Sequence, residues 1–169
     1  DYLKENGGII FPNPNAPTGV LMEKGAVRDI LLANLGSVVI VDEAYIDFAP
    51  EGSSALSLLP EFDNLLVVQT FSKSRSMAGM RIGFAIGSEK LIHYLNDCKY
   101  SFNSYTMNQA ALAAGKAAAE DSGWYRETAR KVIATRERTK KELSALGFSF
   151  ADSQTNFLFV RHEKAKARD

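Results

Sequence analysis

The sequence predicts an α/β fold, a three-layer and mostly parallel sheet with helices on both faces. Short apolar runs alternate with segments of helical period. The runs are rich in β-branched residues, as doubly covered strands are, and Gly, Pro or polar clusters mark the junctions. Gly8-Ile9-Ile10-Phe11 is the first strand, closed by Pro12 to Gly19, a segment whose prolines rule out regular structure. A helix follows from Glu23 to Leu35, with Val27, Ile30, Leu31 and Leu35 at helical spacing and Gly36 placed to end it. Val38-Val39-Ile40-Val41 is the second strand and runs straight into Asp42-Glu43. Leu65-Leu66-Val67-Val68 is the third and runs into Gln69-Thr70-Phe71-Ser72-Lys73-Ser74. Ile82 to Gly87 is the fourth. Ser88 caps a helix through about Lys99, and the alanine-rich stretch from Asn108 to Glu120 makes another. A charge-laced helix from Trp124 to Leu146 stops at Gly147, and Thr155 to Val160 is the last predicted strand. The texture changes near residues 121 to 125, which makes a candidate domain transition there, with the long helix leading into a different layer.

At 169 residues the chain is long enough for a core that hides roughly 70% of its unfolded surface. A composition of 46% hydrophobic and 24% charged residues argues against both disorder and a fibrous repeat. Twenty basic residues balance twenty acidic ones, which removes a whole-chain electrostatic case for nucleic acid or an anionic membrane and leaves a small molecule as the expected partner. Cys98 is the single cysteine and the histidines are His93 and His162, so no disulfide and no metal site are expected, and the cytoplasm is the expected compartment. No apolar run approaches the roughly 18 residues of a spanning helix, and the first residues are too polar for a signal peptide. The chain opens without methionine and closes on the polar stretch Glu163 to Asp169, which reads as a piece of something longer.

Ligands of an open parallel sheet bind beyond the carboxyl ends of its strands, where three of these strands turn polar. The first gives Asn13, Asn15 and Thr18, the second Asp42 and Tyr45, the third Ser72, Lys73 and Ser74. A carboxylate at the end of a β-branched strand needs a partner, and for Asp42 a helix cap or an ion pair is the plain reading. Lys73 is either an exposed loop lysine or a nucleophilic amine, for which Arg75 and Arg81 would supply nearby positive charge. A phosphate-cradling P-loop fails because no glycine stands in Gln69-Thr70-Phe71-Ser72. A Ser–Lys hydrolytic dyad would need serine where Thr70 stands. Gly79, Gly83 and Gly87 span Arg81 and a predicted strand, so they read as close backbone packing and not as a membrane-helix or dinucleotide motif.

Taken as a set the motifs carry more. Asn13-Pro14-Asn15-Ala16-Pro17-Thr18-Gly19, then Val41-Asp42-Glu43-Ala44-Tyr45, then Thr70-Phe71-Ser72-Lys73-Ser74 with Ala78-Gly79-Met80-Arg81-Ile82-Gly83, resemble the aspartate-aminotransferase-like class of pyridoxal-phosphate enzymes. Asp42-Glu43-Ala44-Tyr45-Ile46-Asp47-Phe48 and Ser76 to Gly83 are most similar to histidinol-phosphate aminotransferases within it. The resemblance implies pyridoxal 5′-phosphate as cofactor, attached covalently to Lys73, which then serves as acid and base for a 1,3-proton shift. It places Asp42 against the pyridine nitrogen, Tyr45 at the phenolic oxygen, and Arg81 with Ser72 at the phosphate. The family has asparagine immediately before Pro-Thr-Gly, where this chain has Ala16. Either Asn15 or Asn13 takes that role, or Tyr45 carries it alone. Thr155 to Val160 resembles the first small-domain strand of the family, with Asn156 near the substrate carboxylate.

The resemblance covers nearly all of the chain as one internal block of a protein about twice as long. It implies that residues 1–122 are part of the large cofactor domain and residues 123–169 a long connecting helix with the start of a small α+β domain. It also implies a cytoplasmic homodimer acting on histidinol phosphate and 2-oxoglutarate in histidine biosynthesis. Threonine-phosphate decarboxylase or another aminotransferase of the class is the alternative, and a catalytically incomplete fragment or binding module is the reading from another functional class. The arginine that clamps the substrate carboxylate in the family lies beyond Asp169, and Arg161 reads as a surface residue.

Overall fold

The structure is a computed structural model and describes residues 3–165. Ile9–Pro12 forms β1, Val39–Asp42 β2, Leu65–Thr70 β3 and Gly83–Gly87 β4, in the spatial order β1-β2-β3-β4. The first three strands are parallel, with Pro12 level with Asp42 and Asp42 level with Val68. That register brings three polar strand ends to one edge. β4 closes the sheet antiparallel, Thr70 facing Gly83. Its connection to β3 contains one short 3-10 turn, Ala78–Met80, and no α-helix with which to cross over, so the chain doubles back.

Side-chain parity sets the layers. Val39 and Val41 of β2, with Leu65 and Val67 of β3, enter one core together with Val27, Ile30 and Leu31 of helix α1 (Lys24–Ala33). Full burial of each such side chain contributes about 1.5–3 kcal/mol. Ile40 and Asp42 take the opposite parity. A second core lies beyond the end of β3, where Phe71 and Ile82 meet Ala111, with Ala118 packed alongside. These two alanines come from helix α3 (Gln109–Glu120). Gly115 of the same helix passes close to the Ile82 side chain.

The predicted Ser88 cap forms, and Asn108 proves to be a cap and not the first helical residue. Ser88 accepts the Leu91 N–H ahead of α2 (Glu89–Phe102), and Asn108 accepts the Ala111 N–H ahead of α3. Asp121 both ends α3 and caps α4 (Ser122–Ala145) through the Trp124 N–H, so the change of texture is a one-residue break between helices. Gly147, at φ +85°, lets the chain leave α4. At α1 the expected stop at Gly36 is not used. The helix ends at Ala33, where the Asn34 amide donates to the Ile30 carbonyl at 2.7 Å.

The last predicted strand is the main departure. Only Val160–Arg161 (β6) pairs, with Ser149–Phe150 (β5). Ser153 and Thr155 hydroxyls both take the Phe157 carbonyl, at 2.7 and 3.1 Å, and such side-chain bonds replace the ladder there. The segment is pinned to the first loop instead, since Gln154 N–H donates to the Gly19 carbonyl at 2.8 Å. Gly19 is buried at φ +78°, and a Cβ there would fall on the Ser153 side chain with its Cα only 3.0 Å away. Gly19→Ala is expected to cost about 2–4 kcal/mol, combining left-handed strain with overpacking. The shift in denaturant midpoint measures it, and an unchanged midpoint would show that this junction yields freely.

Candidate active site

The polar ends of β1, β2 and β3 converge as the register requires. Asp42 is half-buried, and its Oδ1 accepts the Ala44 N–H at 3.0 Å, while Oδ2 has no bonded partner among the described residues. Beyond it a 3-10 turn, Ile46–Phe48, starts from Tyr45, whose ring is met edge-on by Phe157 at 5.1 Å. Lys73 follows β3 and stands over the Tyr45 ring with Nζ 5.2 Å from the centroid. It is exposed, and its amine has no ion pair among the described residues.

The antiparallel edge explains how a lysine and an arginine eight residues apart share a site. Phe71 N–H donates to the Ile82 carbonyl at 3.0 Å, which brings Arg81, the neighbour of Ile82, to the end of β3 that leads into Ser72 and Lys73. Thr70 Oγ1 lies 2.9 Å from Ser72 Oγ and accepts the Ser72 N–H at 3.1 Å. Arg81 is exposed, held in the left-handed region at φ +56°, and donates from Nη1 to the Ala78 carbonyl at 3.0 Å. Its remaining donors have no partner among the described residues. A non-glycine residue in that region costs about 1–2 kcal/mol, so the surroundings hold it there.

In the first loop the two asparagines separate. Asn13 is 1% exposed and spends its amide on Met22, accepting the N–H at 2.8 Å and donating to the carbonyl at 3.2 Å. Asn15 accepts the Thr18 hydroxyl at 2.7 Å, which leaves its NH₂ available. Ala16 is exposed. Asn156 is also exposed and lines a groove along α4 with Lys131, Thr135 and Thr139, together with Phe157, whose ring meets Tyr45. Arg161 lies exposed on β6.

Several buried charges have no part in the sequence-based reading. Glu43 is 1% exposed, on the core side of the strand end from which Asp42 points away. Its Oε1 accepts the Ala55 N–H at 2.6 Å, and Oε2 accepts the Ser54 hydroxyl at 2.7 Å and the Gln69 amide at 2.8 Å. Burial pushes its carboxyl above the ordinary glutamate value, and the three donors only partly offset that. Arg136 of α4 is 7% exposed and gives Nη1 to the carbonyls of Phe48 and Thr155, both at 2.9 Å. It thereby ties the turn after Tyr45 to the segment bearing Phe157. Lys140, one helical turn on, bonds the Ser153 carbonyl and holds the carboxyls of Glu137 and Asp152 below their ordinary range. The available signal was helical spacing: positions 129, 136 and 140 form the buried face of α4.

As a donor set, the strand ends fit pyridoxal 5′-phosphate: an unpaired primary amine, an aromatic face, a carboxylate with an open oxygen, a guanidinium with free donors and the hydroxyls of Thr70 and Ser72. Among the described residues no cluster of three metal-ligating side chains exists, and no helix is long and apolar enough to cross a membrane.

A mostly parallel α/β sheet carrying this set at its strand ends is the core of a transaminase-type fold. The chain belongs to the aminotransferase class I and II family, whose model matches residues 1–168. It is 52% identical over all its 169 residues to the histidinol-phosphate aminotransferase of Brachyspira hyodysenteriae, of which it covers 48%. The structure of histidinol-phosphate aminotransferase from Sinorhizobium meliloti in complex with pyridoxal-5′-phosphate superposes with a TM-score of 0.83 at 26% identity, over 94% of this chain and 43% of that one. L-threonine-O-3-phosphate decarboxylase from Porphyromonas gingivalis shares the fold, with a TM-score of 0.76 at 22% identity over 92% of this chain and 47% of that one. The chain thus spans about half the length of the curated relatives it matches.

Proposed function

We propose that the full-length polypeptide carrying this sequence is a pyridoxal-phosphate-dependent aminotransferase that converts histidinol phosphate and 2-oxoglutarate to imidazole acetol phosphate and glutamate in histidine biosynthesis. The observation that carries the reading is the juxtaposition of an unpaired Lys73 amine with the Tyr45 ring, on the same strand-end edge as Asp42 and Arg81. Likeness to histidinol-phosphate aminotransferases supports the substrate.

Bound there, the cofactor supplies an electron sink for the charge left when a proton leaves the substrate α-carbon. Each residue of the set has a task that its surroundings suit. Asp42 holds a proton on the pyridine nitrogen through its open oxygen. Tyr45 would donate to the phenolic oxygen, and the NH₂ that Asn15 leaves available would replace the donor that Ala16 lacks. Arg81 and Ser72 would hold the phosphate, through the guanidinium donors left free by the Ala78 bond and the serine hydroxyl. Lys73 would anchor the cofactor, and its Nζ as a free amine would accept the proton from the substrate α-carbon and hold it for return. Asn156 serves the substrate carboxylate. Residues 1–122 then belong to the large cofactor domain and residues 123–169 to the connecting helix and the start of the small one. The protein works as a cytoplasmic homodimer on small molecules, without nucleic acid or membrane.

The test is glutamate formation by the full-length polypeptide from histidinol phosphate and 2-oxoglutarate. Phosphothreonine decarboxylation at a higher kcat/KM, or much faster transfer from an aromatic amino acid, would overturn the substrate assignment. Absence of a visible cofactor band after adding pyridoxal phosphate would overturn the cofactor assignment and favour a binding module.

A further inference from the structure

Asp47 sits on the 3-10 turn two residues past Tyr45 and reaches across to the loop that carries Lys73. Its Oδ2 accepts the Ser74 hydroxyl in a short hydrogen bond and Arg75 Nη1 at 3.3 Å. Ser74 is buried. The Arg75 guanidinium is clasped between rings, 4.8 Å from Phe71 and 4.1 Å from Tyr125 of α4. The two residues immediately after Lys73 are therefore held by the turn, by the end of β3 and by α4 together. Arg75 accepts a loss for this placement, because its buried Nε has no hydrogen-bond partner.

The loop does not keep this shape by local preference. Ser76 lies in the left-handed region at φ +54°, as Arg81 does further on. Internal bonds from Ser76 N–H to the Lys73 carbonyl and from Met77 N–H to the Phe71 carbonyl close the loop on itself. Neither ties it to the segment that presents Tyr45. Asp47 makes that tie, to the loop whose Lys73 Nζ stands over the Tyr45 ring.

We propose that Asp47 is a positioning residue, which sets Lys73 against Tyr45 through Ser74 and Arg75. Asp47 takes no part in the roles assigned to the cofactor-binding residues, although the proposal rests on that assignment for its consequence. Loss of the tie leaves Lys73 free to swing from the ring, so covalent capture of the cofactor weakens while the cofactor's own contacts stay in place.

The experiment uses the full-length polypeptide with Asp47→Ala, Ser74→Ala, Ser74→Thr and the Asp47→Ala/Ser74→Ala double variant. Three quantities are read: the formation constant of the lysine–cofactor adduct from its visible band on titration with pyridoxal phosphate, Lys73 acetylation in cofactor-free protein relative to the exposed Lys90, and thermal midpoint. Asp47→Ala and Ser74→Ala are each expected to weaken adduct formation about tenfold, the worth of a charge-assisted hydrogen bond. The double variant is expected to match Asp47→Ala within about twofold, since both remove one coupled unit. Ser74→Thr, which keeps the hydroxyl, restores the wild-type constant, and the Lys73 to Lys90 acetylation ratio rises in both alanine variants. Wild-type adduct formation in Asp47→Ala, or additive effects in the double variant, would overturn the proposal. So would a Ser74→Ala defect that tracks the thermal midpoint and is not rescued by threonine. A wild-type protein that shows no band refutes the cofactor reading instead, and the acetylation ratio then decides alone: raised supports the tie, unchanged refutes it. If Asp47→Ala does not fold, the two Ser74 variants carry the same decision.

Discussion

Lys73→Ala in the full-length polypeptide is expected to lower kcat for amino transfer from histidinol phosphate by at least about 10³-fold, with a much smaller change in KM. A positioned acid–base group contributes about 10²–10⁴-fold by itself, and this amine also anchors the cofactor. Lys73 is exposed and unpaired among the described residues, so alanine there opens no cavity and breaks no ion pair. The unfolding free energy of the cofactor-free protein should therefore stay within the range of ordinary surface substitutions, about 0.5 kcal/mol. Separation of a large kinetic effect from a small stability effect marks a residue kept for chemistry. Added methylamine should return part of the lost rate, because a small amine can fill the space left beside Tyr45 and accept the proton. A variant that keeps a tenth of the rate, or that gains nothing from amines, would contradict the assignment of Lys73.

What the sequence made legible follows from which interactions are local. Val39 to Val41 and Leu65 to Val67 declare doubly covered strands by composition alone, and the polar residues that end them are correspondingly conspicuous. Lys73 and Arg81 are separated by a fixed short stretch, so their common site is implied once β4 must double back. Period-two parity also placed Glu43 with Val39 and Val41 on the core side, opposite Asp42. That signal was present, but the sequence-based reading gave weight only to Asp42. Asp47 and Ser74 are different, since 27 residues separate them and no spacing rule predicts their bond. The same holds for Arg136, which meets a carbonyl 88 residues away. The Thr155 to Val160 run was misread because composition favours a strand there, whereas hydroxyls of Ser153 and Thr155 capture the Phe157 carbonyl that a ladder would need. Asn156 depended on resemblance alone, and its groove along α4 shares Phe157 with the Tyr45 ring.

Glu43→Ala is expected to produce the largest loss of stability, about 3–4 kcal/mol. The substitution empties a site that is 1% exposed and strips the acceptor from Ala55 N–H, the Ser54 hydroxyl and the Gln69 amide. Each orphaned buried donor costs about 1–3 kcal/mol, and the vacated volume adds to it. Ser54 and Gln69 also line an open cleft, so water reaching them there should recover some of that cost. Glu43→Gln is a sharper probe because it keeps the shape while fixing the group in a neutral form. The Ser54 hydroxyl can rotate and the Gln69 amide can flip to accept from it. Burial raises the folded-state value of this carboxyl above its ordinary one, so folding favours the protonated form. The resulting stabilisation is complete below the ordinary glutamate value of 4.5 and is lost as pH rises through the higher folded value. Wild type should therefore lose stability relative to Glu43→Gln as pH is raised from 4 toward neutrality, a trend opposite in sign to that of a salt-bridged carboxylate. Denaturant melts of the two proteins across that range measure it. A stability difference that is flat, or that grows in favour of wild type as pH rises, would mean that the three donors outweigh burial and that Glu43 is held as a charged acceptor at the root of the Asp42 strand end.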